Sequence, residues 1–234
     1  NSRILAYKSL GTCSNNTSTA CTDDGDCTVP SQGICNLISN KNADMVFGQP
    51  DFSHGACNGD ASFTTYPIPA SASASSLCLM PQDQRSPAEG GQYLSMDADA
   101  NHNLYVPDPL NNRVLMFKDP FGTPNITTGV GDRVADAVWG QPNFTANKCN
   151  NGVWSPDNAL QNYLCIAENT TEAFTSGVDI DLAGNLWVTD TTNKRVLRYP
   201  FSSSLGKPDS LPNLVLGQSN YTNNAAGSGL NQMY

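Results

Sequence analysis

An all-β fold built from repeated four-stranded units, in the manner of a β-propeller, is what this sequence predicts. Three observations carry that expectation. Gly177 to Phe201 (GVDIDLAGNLWVTDTTNKRVLRYPF) recurs 82 positions upstream, without a gap, as Ser95 to Phe117 (SMDADANHNLYVPDPLNNRVLMF), and ten of those 23 positions are identical. A second element follows each copy: ADMVFGQPDFS from Ala43, ADAVWGQPNFT from Ala135 and PNLVLGQSNYT from Pro212, which sets repeats of 92 and 77 residues between Gly-Gln pairs at 48, 140 and 217. No stretch keeps a helical period. Repetition at this scale says that the fold is an array of similar units.

The elements follow from the residues in order. Asn1 to Tyr7 falls on Asn111 to Phe117, so residues 1–8 are read as the third strand of a truncated unit. In the complete units, Met96 to Ala98 and Val178 to Ile180 are short first strands, and Ala100-Asn-His-Asn103 or Leu182-Ala-Gly-Asn185 supplies turn chemistry. Leu104 to Val106 and Leu186 to Val188 form the second strand, Val114 to Phe117 and Val196 to Tyr199 the third. The fourth is Met45 to Phe47, Ala137 to Trp139 or Leu214 to Leu216. Short strands that are apolar on both sides belong in sheets covered on both faces, which is how propeller blades pack.

The chain therefore divides into the end of a truncated blade with a four-cysteine insertion (1–48, the insertion at about 10–42) and a first inter-blade connection (49–92). A complete blade (93–141), a second connection (142–176), a second complete blade (177–218) and the start of another connection (219–234) follow. That is about two and a half blades. A ring protects sheet edges only when it closes. The expectation is that the chain is a piece of a longer one, the alternative being that copies complete one another.

The pattern G-V-D-I-D-x-x-G-N-L-W-V-T-D-x-x-N-K-R-V-L-R-Y resembles an NHL repeat, a propeller-blade family, and the Val-Phe-Gly-Gln-Pro-Asp-Phe segments resemble the outer strand and exit turn of its long-bladed, extracellular bacterial-type members. The resemblance covers about half of the chain, and it implies four-stranded blades around a central channel. His102 stands where the family usually has Gly, and Pro107 lies inside a second strand.

Eight cysteines, an even number, suggest disulfides and an oxidising compartment. Cys57 and Cys149 follow equivalent Gly-Gln-Pro segments, and Cys78 and Cys165 precede the next first strand. Pairs Cys57–Cys78 and Cys149–Cys165 are expected, with Cys13, Cys21, Cys27 and Cys35 pairing among themselves. The spacings lack the C-x2-C hooks of zinc sites. Six Asn-x-Ser/Thr sequons, at Asn15, Asn16, Asn125, Asn143, Asn169 and Asn220, all read as lying in connections and none in a strand, point to N-glycosylation outside the cell.

Composition narrows the partners. The net charge of −9 repels phosphate backbones, so nucleic acid is excluded as a partner. No apolar run reaches membrane-spanning length. The start at Asn1 carries no leader, and a signal peptide is expected to have been removed or to lie outside the chain. Asp23-Asp24-Gly25-Asp26 lacks the alternating ligands of an EF-hand and reads as a solvated turn.

Chemistry-bearing residues are few. Asp108 with Arg113, and Asp190 with Arg195, should face each other across a hairpin as a structural pair, worth about 0.2–1 kcal/mol. Asp97, Asp99, Asp179 and Asp181 are weak candidates for a structural calcium in the channel; no other cofactor is expected. His54 and His102 are the only histidines, too few for the zinc shell of the NHL-type amidating lyases, and both read as surface residues. No catalytic nucleophile motif is present, and no catalytic residue is assigned. The recurrent aromatics Tyr105, Phe117, Trp139, Trp187 and Tyr199 read as inter-blade core. The favoured function is an extracellular glycoprotein module, interacting or structural, with protein or glycan partners at the propeller rims, or self-assembly. The alternatives are a calcium- or zinc-dependent hydrolase or lyase, and a carbohydrate-binding propeller using Tyr66, Trp154 and Tyr163.

Overall fold

The computed structural model describes residues 2–21, 27, 33–37, 41–59, 72–79, 93–152, 159–167 and 175–227, and every strand expected within the repeats is a strand there, to within a few residues. The protein is all-β. There is no α-helix among the described residues, and none of the five sheets closes into a barrel. Two compact units form, Ile4–Phe47, and Asn1–Arg3 with Gly48–Tyr234.

The smaller unit holds β1 (Ile4–Ala6), β2 (Gly11–Cys13), β3 (Asn16–Cys21), β4 (Cys35–Leu37) and β5 (Met45–Phe47). β1 pairs antiparallel with β5, Leu5 opposite Val46, as the third and fourth strands of a repeat should. The Lys8 N–H donates to Asp44 Oδ2 at 2.8 Å, and this bond, with help from Lys41, holds the Asp44 carboxyl below its usual range. The cysteine insertion is itself a sheet, ordered β3-β2-β4. Cys13–Cys27 and Cys21–Cys35 bridge it, and buried sulfur serves where so polar a segment has few apolar side chains to bury. The reading that no sequon lies in a strand is corrected at one position: Asn16 opens β3, because the disulfides impose pairing on a sequence with no alternating apolar pattern. Asp23 to Asp26 lies outside the described residues.

The larger unit holds β6 (Tyr93–Ser95), β7 (Asp97–Ala98), β8 (Leu104–Asp108), β9 (Arg113–Phe117) and β10 (Ala137–Trp139), then β11 (Thr175–Ile180), β12 (Leu186–Asp190), β13 (Arg195–Tyr199), the β14 (Phe201–Ser202) and β15 (Lys207–Pro208) hairpin, and β16 (Leu214–Leu216). Each complete repeat is an antiparallel meander of the same order, β10-β9-β8-β7 and β16-β13-β12-β11. Registers match as well: Tyr105 faces Met116 as Trp187 faces Arg198, and Asp108 faces Arg113 as Asp190 faces Arg195. β6 runs parallel to the start of β11, Tyr93 opposite Thr175 and Ser95 opposite Gly177.

The two repeats share one core. Tyr105, Val114, Met116, Ala137 and Trp139 of the first pack with Val178, Leu186, Val188, Leu197 and Tyr199 of the second, over Leu164 and Ile166 from the connection. Strict alternation of buried and half-buried residues along β12 and β13 gives the second repeat one covered face. Each buried aliphatic side chain there contributes about 2 kcal/mol of transfer free energy. Pro107 is tolerated in β8 because the ladder with β7 stops at Asp97 opposite Tyr105, two residues short of it. Its counterpart Thr189 instead bonds to the Gly177 N–H through Oγ1, at 2.7 Å.

The first-to-second strand turn explains why glycine suits position 184. Gly184 sits at φ +80°, and His102, its counterpart, takes the same left-handed region at φ 62°. A Cβ at Gly184 would also stand 2.9 Å from the Phe201 ring. Gly184→Ala should therefore cost about 1–2 kcal/mol, whereas His102→Gly should be neutral or stabilise by up to about 1 kcal/mol, since relief of strain outweighs or balances added unfolded-state freedom. Urea titration of both variants checks the opposite signs; equal losses would remove the steric argument.

Candidate functional site

Two buried nodes tie the connections to the sheets, and they are built alike. In the first, Asp108 ends β8 and Arg113 begins β9, with side chains wholly excluded from solvent. Asp108 Oδ2 accepts from Arg113 Nε at 2.8 Å and from Asn111 Nδ2 at 2.8 Å, while Oδ1 accepts the backbone N–H of Cys78 at 2.7 Å. Arg113 Nη2 donates to the Ser73 and Ser76 carbonyls at 3.0 and 2.9 Å, and Nη1 to the Phe144 carbonyl. The second node repeats this: Asp190 holds Arg195 Nε, Asn193 Nδ2 and the Cys165 N–H, and Arg195 holds the Leu160, Tyr163 and Tyr221 carbonyls.

The expectation of a hairpin pair is thus right in partners and wrong in environment. These are fully buried charges, not solvent-screened ones, because the cysteine-bearing connections fold over them. Every guanidinium nitrogen finds an acceptor, which is the condition under which a buried ion is tolerated.

The disulfides Cys57–Cys78 and Cys149–Cys165 form as expected and abut the nodes through the Cys78 and Cys165 amides. The residue after each first cysteine adds a partner that the sequence reading missed. Asn58 and Asn111 exchange two amide bonds at 3.0 and 2.8 Å, and Asn150 and Asn193 do the same at 3.0 Å each. The recurring Cys-Asn after Gly-Gln was the available signal.

The Gly-Gln pairs also acquire a role. Gly48 and Gly140 adopt φ +83° and +85°, and a Cβ at either would lie 2.5 Å from the Leu77 or Leu164 side chain. Gln49, Gln141 and Gln218 each clamp two carbonyls through Nε2: Ser2 and Ala56, Asn112 and Lys148, Lys194 and Ala225. The exit turn of every repeat is held at both ends.

The four aspartates weighed as calcium ligands are placed differently. Asp97 accepts from its own neighbour Ala98 and, across the repeats, from the Ile180 N–H at 2.8 Å. Asp99 caps its turn, accepting from the Asn101 and Asn103 amides, Asn103 Nδ2 and the Tyr105 hydroxyl. Asp181 does the same with Ala183, Asn185 and Trp187. Asp179 is exposed. Asp99 and Asp181 thus cap equivalent turns, and Asp97 links the two repeats. Among the described residues the one gathering of metal-ligand types is Cys13, Cys21 and Cys27, whose sulfurs are in disulfides.

Although burial pushes the Asp181 carboxyl up, the Trp187 and Asn185 donors hold it down, to about 2. A depressed carboxylate stabilises the fold above its unfolded value and loses that contribution as pH falls through the folded one. Stability should therefore drop as pH is lowered from the ordinary 3.8 toward about 2, and Asp181→Asn should flatten that part of the profile in urea melts. A variant profile parallel to the wild type in this window would refute the assignment.

The remaining singled-out residues are at the surface or in the core. His54 is exposed and bonds Asp51 at 2.7 Å, and His102 is exposed in its turn. Tyr105 and Trp139 stack tilted at 5.7 Å, and Phe117 and Tyr199 are buried; Trp187, expected in the core, is instead half-buried beneath the Arg198 guanidinium, because its indole N–H reaches out to the Asp181 turn. Tyr163 is half-buried and lends its carbonyl to Arg195; Tyr66 and Trp154 lie outside the described residues. Asn15, Asn125, Asn143 and Asn220 are exposed, Asn16 is half-buried, and Asn169 lies outside the described residues.

No family model and no curated protein matches this chain. No helix among the described residues is long and apolar enough to cross a membrane, and four disulfides fit an oxidising, extracellular compartment.

Proposed function

We propose that this chain belongs to an extracellular, glycosylated NHL-type propeller that acts as an interaction or structural module. One observation carries the reading: at its described residues, each connection between repeats is fastened to the sheets by a disulfide and a buried Asp-Asn-Arg node, so those parts of the loops are pre-ordered for a partner. Pre-ordered loops bind without a large entropic cost, which is the physical basis of a display scaffold. The absence of family matches leaves the repeat pattern and the strand order as the support for the NHL assignment. Proteins or glycans at the rims, and other copies of the chain, are the partners proposed.

The test uses the secreted, oxidised protein. Metal analysis, electron microscopy for regular polymers and glycan-array binding are run together. Propellers in repeating contact, or binding that survives chelation and is lost on reduction of the disulfides, would support the module. A stoichiometric ion whose removal abolishes a hydrolase or lyase activity would replace it with the enzyme reading, and glycan binding abolished by Trp154→Ala with the lectin reading.

A further inference from the structure

The exit turn after each Gly-Gln pair has one shape in all three repeats. Asp51, Asn143 and Asn220 occupy equivalent places in Gln-Pro-Asp-Phe-Ser, Gln-Pro-Asn-Phe-Thr and Gln-Ser-Asn-Tyr-Thr. In each, the side-chain Oδ1 accepts the backbone N–H two residues on, at 2.8, 3.0 and 2.9 Å, and the hydroxyl of that same residue, at 2.6, 2.9 and 2.9 Å. It also accepts the N–H of the third residue, in His54, Ala146 and Asn223. The intervening aromatic carbonyl is pinned by an arginine at or just before the start of the repeat's third strand: Arg3 on Phe52, Arg113 on Phe144, Arg195 on Tyr221.

This leaves a single polar atom without structural work. Oδ1 of Asn143 and Asn220 is saturated, whereas Nδ2 of each has no partner among the described residues and sits on an exposed side chain. The contrast with the buried asparagines is plain, since Nδ2 of Asn58, Asn111, Asn150 and Asn193 is engaged in the nodes. In the first repeat the same place holds a carboxylate, which has no nitrogen to offer, and its Oδ1 also meets His54 Nδ1.

We propose that the repeat encodes a station for N-linked carbohydrate at this turn, loaded at Asn143 and Asn220 and lost at Asp51. The inference rests on the glycoprotein reading above and deepens it by choosing sites. In the transfer step Asn Nδ2 attacks the anomeric carbon of a lipid-pyrophosphate-linked oligosaccharide. The N–C bond forms, the carbon–oxygen bond to the pyrophosphate breaks, the lipid pyrophosphate leaves with the electron pair, and one Nδ2 proton passes to a base of the transferase. The fold loses nothing, because every bond of the turn is made by Oδ1.

The full chain, secreted from eukaryotic cells, is mapped by glycopeptide mass spectrometry with enzymatic release in heavy-oxygen water. Sugar is expected on Asn143 and Asn220, removed one site at a time by Thr145→Ala and Thr222→Ala. Asp51→Asn, which restores the acceptor triplet with Phe52 and Ser53, should gain a further glycan without loss of thermal stability. Bare Asn143 and Asn220 beside an occupied Asn125 or Asn16 would overturn the station and leave the glycoprotein reading standing. Every site bare would overturn both. Should Asp51→Asn not be secreted, occupancy of the two native sites still decides; should it be secreted and unmodified, the repeat-encoded claim fails.

Discussion

Arg195→Ala should unfold the protein about 3–5 kcal/mol more easily than the wild type, several times the effect expected of an exposed pair. The substitution leaves the Asp190 carboxylate at zero exposure with only the Asn193 and Cys165 donors, and it strips the Leu160, Tyr163 and Tyr221 carbonyls of theirs. Burying an uncompensated charge is the dominant cost, so Asp190→Ala should be comparably harmful, for then the guanidinium is stranded. The pair together is another matter: a double substitution should lose less than the sum, with a coupling energy of roughly 1–3 kcal/mol. Denaturant titration of the four species reads this directly. A loss near 1 kcal/mol for the single variants would mean that water reaches the node.

Removing the neighbouring disulfide by the double change Cys149→Ser and Cys165→Ser should cost about 3 kcal/mol, from the closure entropy of a loop with a sequence separation of 16. The bridge and the node meet at one peptide, since Cys165 carries both the sulfur and the N–H that Asp190 accepts. Their effects should therefore not add: with the loop released, Asp190 loses the surface that excludes water, and Arg195→Ala should then cost less than in the oxidised protein. Strict additivity across this cycle would show the two to be independent fastenings. Cys57 and Cys78, with a separation of 21, should behave alike toward Arg113.

Much of this arrangement is legible in the sequence, and the boundary of legibility has physical causes. Repetition fixed the strands because residues such as Val114 and Val196 hold equivalent register positions between the second and fourth strands of their copies, and it fixed the Cys149–Cys165 pairing because both ends keep their place relative to Gly-Gln and to the next strand. The burial of Arg113 was not legible. Its acceptors are the carbonyls of Ser73, Ser76 and Phe144, and a backbone oxygen leaves no trace in residue identity. The Asn58–Asn111 exchange could have been found from the shared Cys-Asn, but a polar residue beside a cysteine in a loop ordinarily reads as solvated. The small sheet at Gly11 to Leu37 gave no signal, since pairing there is imposed by covalent bonds rather than by hydrophobic alternation.

The parallel run of Tyr93–Ser95 beside Thr175–Gly177, with the Asp97 carboxylate gripping the Ile180 amide, has a mechanical meaning. Tension applied along these strands meets several bonds in shear at once, instead of peeling them singly as in a hairpin. The two repeats would thus bear load along this seam as one body.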